Sequence, residues 1–338
     1  MRVGVDQYTL KHLDGVRGSA LLDLVRAHGL DGCQFRDPHE VSPTLDPAEL
    51  RDVRAHARAH GMYLEVGISC PNPHAPGPVA LQDGGGDLRA GLRRQLEAVA
   101  AAAEGTRSVR CFVGSRGARH RHPVPWPRQV ADTIAVARDL TPILRDLGLK
   151  LAFENHAEAS TFDLVRIAET LGSDVAGITL DTGNIAITVE DPLLAVQRAA
   201  PYTIATHVKD GIVVFADDGL VYNPRACGDG VVPIPEILQT LSATAPDLTV
   251  SIEDHGGLYE IPIFEDEFLA TLPDLQPREM GRVVRLAREC ERRIAAGTLD
   301  SLEAAERIPW EARVFSRLDR AAAYVRAVVG RLESPARG

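Results

Sequence analysis

Eight short β-type runs alternate with amphipathic stretches along this chain of 338 residues, and no other feature limits its fold so strongly. The runs cover residues 3–8, 32–36, 63–68, 109–114, 149–154, 177–181, 204–208 and 248–253. Between them, residues 17–29, 47–60, 87–104, 128–147, 161–171, 191–199 and 234–245 place apolar side chains at three- and four-residue spacing, which predicts helices. Strands joined by helices must lie parallel, because a parallel pair needs a long crossover connection. Eight such units predict an α/β fold of the (β/α)8 type, a TIM barrel. A doubly wound sheet fits less well, since no glycine-rich phosphate turn follows the first run.

The length allows two domains, but a barrel of this kind takes most of it as one. Residues 1–296 are read as the catalytic barrel and 297–338 as a C-terminal helical extension. Its face of Trp310, Ala312, Val314, Phe315, Leu318 and Ala322 is apolar enough to pack on the barrel or on a second copy. The helix from about 277 is read as the eighth barrel helix. A formal net charge of −10 argues against a nucleic-acid partner, which needs clustered Lys and Arg. Five unpatterned cysteines, without a CxxC pair, point to a reducing compartment and no disulfide framework. The N-terminus opens directly on a strand and no stretch is apolar enough to span a membrane, so a soluble, cytoplasmic protein with no membrane partner is expected.

Four of the runs stop at a side chain that binds hard cations. LAFENH offers Glu154, ITLD offers Asp181, ATHVKD offers His207 and VSIEDHG offers Glu253. A parallel barrel gathers its strand ends on one face, so these four residues can meet around one ion. Three carboxylates and an imidazole suit Mn²⁺, Mg²⁺ or Co²⁺ better than a thiolate-seeking metal.

The blocks FENH (153–156), LDTGN (180–184), EDPLLAV (190–196), HVKD (207–210), GDGVVPIPEIL (228–238) and EDHGG (253–257) carry a family resemblance. At these residues the chain resembles the xylose isomerase-like TIM-barrel superfamily, above all its sugar phosphate isomerase/epimerase members. The resemblance covers about residues 1–275 and is densest from 149 to 257. It implies that Glu154, Asp181, His207 and Glu253 hold one divalent ion, commonly Mn²⁺. It implies too that Glu154 and Glu253 flank a sugar on opposite faces, one removing a proton and the other returning it. Several relatives, DNA-repair endonucleases among them, carry a His where this chain has Asn184. That departure and the acidic balance argue against a multinuclear zinc site and a nuclease. The substrate-oriented Arg usual behind the His is also missing, the nearest being Arg225.

The chemistry expected is metal-dependent isomerisation or epimerisation of a sugar, since an ion bound at a carbonyl and its neighbouring hydroxyl stabilises the enediolate left by proton loss. His156 joins the glutamates as a catalytic candidate, and Arg36, Asn184, Lys209 and His255 are candidates for substrate contact. Gln7, the segment 70–74 and the cluster 116–122 are second-tier candidates, the last as a phosphate site or lid. Asp210 and Asn155 are read as structural. A lyase expelling the aglycone from a 3-oxo-glycoside, or a sugar or inositol dehydratase, begins with the same proton loss. His156 or His255 would then protonate the leaving group, and the loop after the fourth run and the extension would suit a bulky aglycone. A non-enzymatic sugar-binding protein is the third reading. The partners expected are a small sugar or glycoside, a second copy of the chain, and in the lyase reading a small second subunit.

Overall fold

The structure, a computed structural model, describes residues 1–114 and 117–333. Strands β1 (Arg2–Asp6), β2 (Gly32–Phe35), β3 (Tyr63–Val66), β4 (Ser108–Phe112), β5 (Lys150–Glu154), β6 (Ala176–Asp181) and β7 (Thr203–Val208) come first. A hairpin of β8 (Asp210–Ala216) and β9 (Gly219–Arg225) follows, then β10 (Thr249–Ile252) and the short β11 (Tyr259–Ile261). Around the barrel the order is β3, β2, β1, β10, β7, β6, β5, β4, every neighbouring pair parallel. The seam between β3 and β4 is bridged by isolated bonds, including Ile68 N–H to the Arg110 carbonyl at 2.9 Å, so the barrel is nearly closed. This is the expected TIM barrel.

Each predicted helix forms within two residues of its expected ends, and polar side chains set several of the starts. Asp46, Asp87 and Asp191 each accept backbone N–H groups of a first turn, and Ser160 with Asp163 forms a capping box. Gly148, at φ 64°, ends the helix Trp126–Leu147 in a left-handed turn.

Strand alternation then divides the core. On β10, Val250 and Ile252 join the large apolar cluster beneath the helices, while the alternate Thr249 and Ser251 bond to Glu65 and Tyr63 across the barrel. By the same parity Gln34, Glu65, Arg110, Glu154, Asp181 and His207 are buried and meet one another inside the barrel. The barrel interior is thus hydrogen-bonded and charged where such barrels are usually filled by branched apolar side chains.

Two features differ from the sequence reading. The run after His207 is a hairpin, with Ala216 opposite Gly219 across a two-residue turn. The Asp-Asp-Gly between IVVFA and LVYNP is its sequence signal. Together with β11 it makes a three-stranded antiparallel sheet. The helix Pro277–Ala295 packs on this sheet through Val283, Ala287 and Cys290. The eighth helix position, against β1, β10 and the helix Ile234–Thr244, is taken instead by Trp310–Glu333. Its Val314, Leu318, Ala321, Val325 and Val328 join the barrel's own core. The C-terminal extension is present, but its last helix completes the barrel.

Leu318→Ala is therefore expected to cost about 2–5 kcal/mol, the usual range for a buried leucine. Urea unfolding measures this, and a loss below about 0.5 kcal/mol, typical of a surface change, would mean that the helix is peripheral.

Candidate active site

Glu154 and Asp181 are the last residues of β5 and β6, His207 is the penultimate residue of β7, and Glu253 follows β10 directly. All four are buried, and one ligand-type atom from each lies within 4.8 Å of the others. His207 Nδ1 is 2.7 Å from Glu253 Oε2 and 3.1 Å from Glu154 Oε1. Asp181 Oδ1 accepts the N–H groups of Gly183 and Asn184, both at 2.9 Å, which fixes the carboxylate. Its Oδ2 is buried and accepts no hydrogen bond, although Lys209 Nζ stands 3.0 Å away. Asn155 ties β5 to β6 through both its amide atoms, Nδ2 to the Asp181 carbonyl and Oδ1 from Asp181 N–H, each at 2.8 Å.

Two buried cations balance this acidic floor. Lys209 Nζ reaches Glu253 Oε1 at 2.7 Å as well as Asp181. Arg110 grips Glu154, its Nε 2.5 Å from Oε2 and its Nη2 on the same oxygen. Burial works against the charged forms of Glu154 and Glu253, but Arg110 and His207 hold the first low, and Lys209 and His207 the second. Burial and the two neighbouring glutamates push Asp181 up against the pull of Lys209. Burial disfavours a charged His207, but Glu154, Glu253 and Asp6 carry its pKa well above the ordinary imidazole value, so the ring stands as a third cation beside Arg110 and Lys209. A divalent ion held by these carboxylates would replace the imidazole proton and leave His207 neutral, with Asp181 Oδ2, which accepts no hydrogen bond, as one oxygen for it.

His207 is oriented from behind. Its Nε2 contacts Gln34 Oε1 and lies 3.5 Å from Asp6 Oδ2, so this nitrogen donates to them while Nδ1 faces the carboxylates. Gln34 Nε2 donates to Glu65 Oε2 at 2.6 Å, and Thr249 donates to the other Glu65 oxygen. Burial raises the Glu65 carboxyl above its usual range, opposed by these bonds. This chain of contacts runs from the strand ends deep into the barrel.

Glu253 also lines a pocket of about 300 Å³, near the lower limit for small-molecule sites, together with Asp6 and Arg110. Arg36, Asn184, Lys209, His156 and His255 all line it, as the sequence reading placed them. Asn184 is buried and its Oδ1 accepts from Lys209 Nζ at 3.3 Å. His255 Nε2 is 3.4 Å from Glu253 Oε1 and 3.2 Å from the Tyr259 hydroxyl. His156 stacks on Phe112 at 4.7 Å with Nδ1 3.6 Å from Glu158. Desolvation disfavours its charged form, yet Glu154 and Glu158 carry its pKa above the ordinary imidazole value. Arg36 is half exposed and pairs with Glu40 at 3.2 Å.

Other candidates serve elsewhere. Cys70 donates to the Phe112 carbonyl and His74 pairs with Asp132, both away from the pocket lining. Of the cluster 116–122, Arg116 lies outside the described residues, and Arg119 is buried on Asp163, the capping-box partner of Ser160 in the helix Thr161–Leu171. Asp210 accepts four backbone N–H groups, from Gly211, Gly228, Gly230 and Val232, and so shapes the exit of the hairpin. A Cβ on Gly230 would sit 2.2 Å from Asp210 Oδ1, which is why glycine stands there.

The family profile described as xylose isomerase-like TIM barrel matches residues 22–268. The chain belongs to that xylose isomerase-like family. One curated relative, the uncharacterized protein YihM of Escherichia coli (strain K12), is 25% identical over 143 residues. That match spans 41% of this chain and 43% of YihM, so less than half of the relative's length is covered. Among solved structures, a D-psicose 3-epimerase crystallised in the presence of D-fructose superposes with a TM-score of 0.63 at 18% identity, covering 98% of this chain and 100% of the epimerase. The 3-keto-D-glucoside 4-epimerase YcjR from E. coli gives 0.56 at 14%, over 81% and 100%. The IOLI protein with a bound zinc atom gives 0.57 at 14%, over 89% and 100%. At such identities the likeness is one of fold.

Within this xylose isomerase-like barrel, sequence reasoning missed Asp6, Gln34, Glu65, Arg110 and Tyr259. The first four had a signal, a polar or charged residue inside or ending an apolar β-run, as in VGVD, GCQF, YLEV and SVRCF. Tyr259 had none, because β11 is three residues long.

Gln34→Leu should weaken Mn²⁺ binding about 10–100-fold, the usual cost of losing the partner that orients a ligand His. Calorimetric titration checks this, with circular dichroism to confirm the fold. An unchanged affinity would show that Gln34 does not orient the ring.

Proposed function

We propose that this chain is a divalent-metal-dependent sugar isomerase or epimerase that removes a proton from the carbon beside a carbonyl. The observation that carries this reading is the buried convergence of Glu154, Asp181, His207 and Glu253, the last of which also lines a small pocket. Support comes from the fold neighbours, which include epimerases of a ketohexose and of a ketoglucoside. A bound divalent ion, Mn²⁺ first and Mg²⁺ or Co²⁺ next, would supply electrophilic stabilisation of charge developing on the carbonyl oxygen.

The chain's own residues do the rest. Glu154 and Glu253 reach His207 Nδ1 from different strands and are both held ionised by buried cations, so each is able to accept a proton. One takes the proton from the sugar carbon and the other returns it, to the opposite face in an epimerisation. Lys209 and Asn184 offer a donor and an acceptor to substrate hydroxyls, and Arg36 contributes from the rim. His156 and His255 stand beside the glutamates as proton carriers. Glu154, Glu253, Lys209, Asn184 and His255 are buried, while Arg36 and His156 stand more exposed.

A second reading rests on that histidine pair. Either ring could protonate a departing aglycone, which turns the same proton abstraction into elimination from a 3-oxo-glycoside. The extension does not line the pocket, and neither does Arg119 or His122 of the loop after β4, so their proposed part in holding an aglycone finds no support among the described residues. Isomerisation or epimerisation of a free sugar is therefore the primary reading. A homo-oligomer in the cytoplasm, with a small second subunit only in the lyase case, completes the proposal.

Incubation of the Mn²⁺-loaded protein with free ketohexoses, followed by chromatography, should reveal a new sugar. Glu154→Gln and Glu253→Gln should each lower that turnover about 10²–10⁴-fold, the worth of a general base. Full activity in either variant would refute the two-glutamate scheme. Release of aglycone from a 3-oxo-glucoside, with ketoses untouched, would replace the isomerase by the lyase.

A further inference from the structure

A second, larger cleft of about 570 Å³ lies where the exit of β9 meets the C-terminal helices. Five arginines line it, Arg225, Arg293, Arg313, Arg317 and Arg320, against the acids Asp229 and Asp300. Three of them are paired. Arg317 grips both oxygens of Asp254 at 2.6 and 2.8 Å, Arg313 reaches Glu306 at 2.8 Å, and Arg320 reaches Asp229 at 3.1 Å.

The other two are not. Arg293, half exposed at the end of the helix Pro277–Ala295, makes no ion pair among the described residues. Arg225 is only 5% exposed, yet no carboxylate pairs with it among the described residues. Its Nη2 donates to the carbonyls of Asp300 and Ser301 at 3.0 and 3.4 Å, and its buried Nε has no acceptor. Arg313 Nε is likewise buried and without an acceptor. A buried guanidinium with unused donors is costly unless something negative completes it. Burial, and then the neighbouring Arg317, hold Arg225 below its usual range against the pull of Asp300 and Glu306.

We propose that this cleft binds a small molecule rich in oxyanion groups, phosphoryl or carboxylate, with Arg225 and Arg293 as its main donors. The planar fork of arginine matches both groups in a bidentate manner. The volume exceeds what one phosphate would fill, so a ligand with two or more such groups fits best. The site is separate from the catalytic pocket, although Arg317 links its wall to Asp254, the residue after Glu253.

The test is calorimetric titration of the full chain, freed of metal on a chelating resin, with pyrophosphate and separately with citrate. One equivalent of at least one anion should bind. Arg293→Glu should weaken that binding roughly tenfold or more, as loss of a charge-assisted hydrogen bond does, and Arg225→Gln should do the same. Asp181→Asn, in the catalytic pocket, should leave it unchanged. Tighter binding of pyrophosphate would assign phosphoryl groups, and tighter binding of citrate carboxylates. Absence of heat with both anions at millimolar concentration would overturn the proposal. So would unaltered affinity in Arg293→Glu, which changes a half-exposed side chain and so keeps the test valid should Arg225→Gln not fold.

Discussion

Everything in this barrel depends on how it tolerates charge in its interior. Ions removed from water are costly, and a buried acid stays ionised only beside a compensating cation or donor. Here Arg110 covers Glu154, Lys209 spans Asp181 and Glu253, and His207 sits between the two glutamates. Remove one cation and an uncompensated carboxylate remains at the centre of the fold. Under the proposed function, the same network that threatens stability would hold the acidic groups in place before a substrate or an ion arrives.

Much of this was legible in the sequence, for a physical reason. Side chains alternate along a strand, so an apolar run that stops at Glu154, Asp181, His207 or Glu253 declares both a barrel strand and its open end. The pocket-lining Arg36, Asn184, Lys209, His156 and His255 share that position at or beyond a strand end. Gln34, Glu65 and Arg110 were harder to find because they lie within runs, where a single polar residue looks like noise until the facing strand supplies its partner. Pairings between β2 and β3, or β4 and β5, are tertiary facts that no local pattern states.

The segment after the seventh strand went unread in the sequence. A barrel pattern draws attention to the next strand and helix, and a two-strand excursion between them is easily passed over despite its Asp-Asp-Gly turn signal. Once the hairpin exists, its outer surface must be covered, and Pro277–Ala295 does so. The eighth helix position then falls to Trp310–Glu333, and the junction of hairpin and extension leaves the arginine-lined cleft. An insertion at one strand end thus accounts for the order of the C-terminal helices.

The most direct test of the metal centre is a crystal structure of the protein grown with Mn²⁺ and measured for anomalous scattering. One anomalous peak should appear, bonded by Glu154, Asp181, His207 and Glu253, with the Lys209 ammonium displaced from between Asp181 and Glu253. Two or more peaks, or a peak that those four residues do not share, would contradict a single ion held at the strand ends.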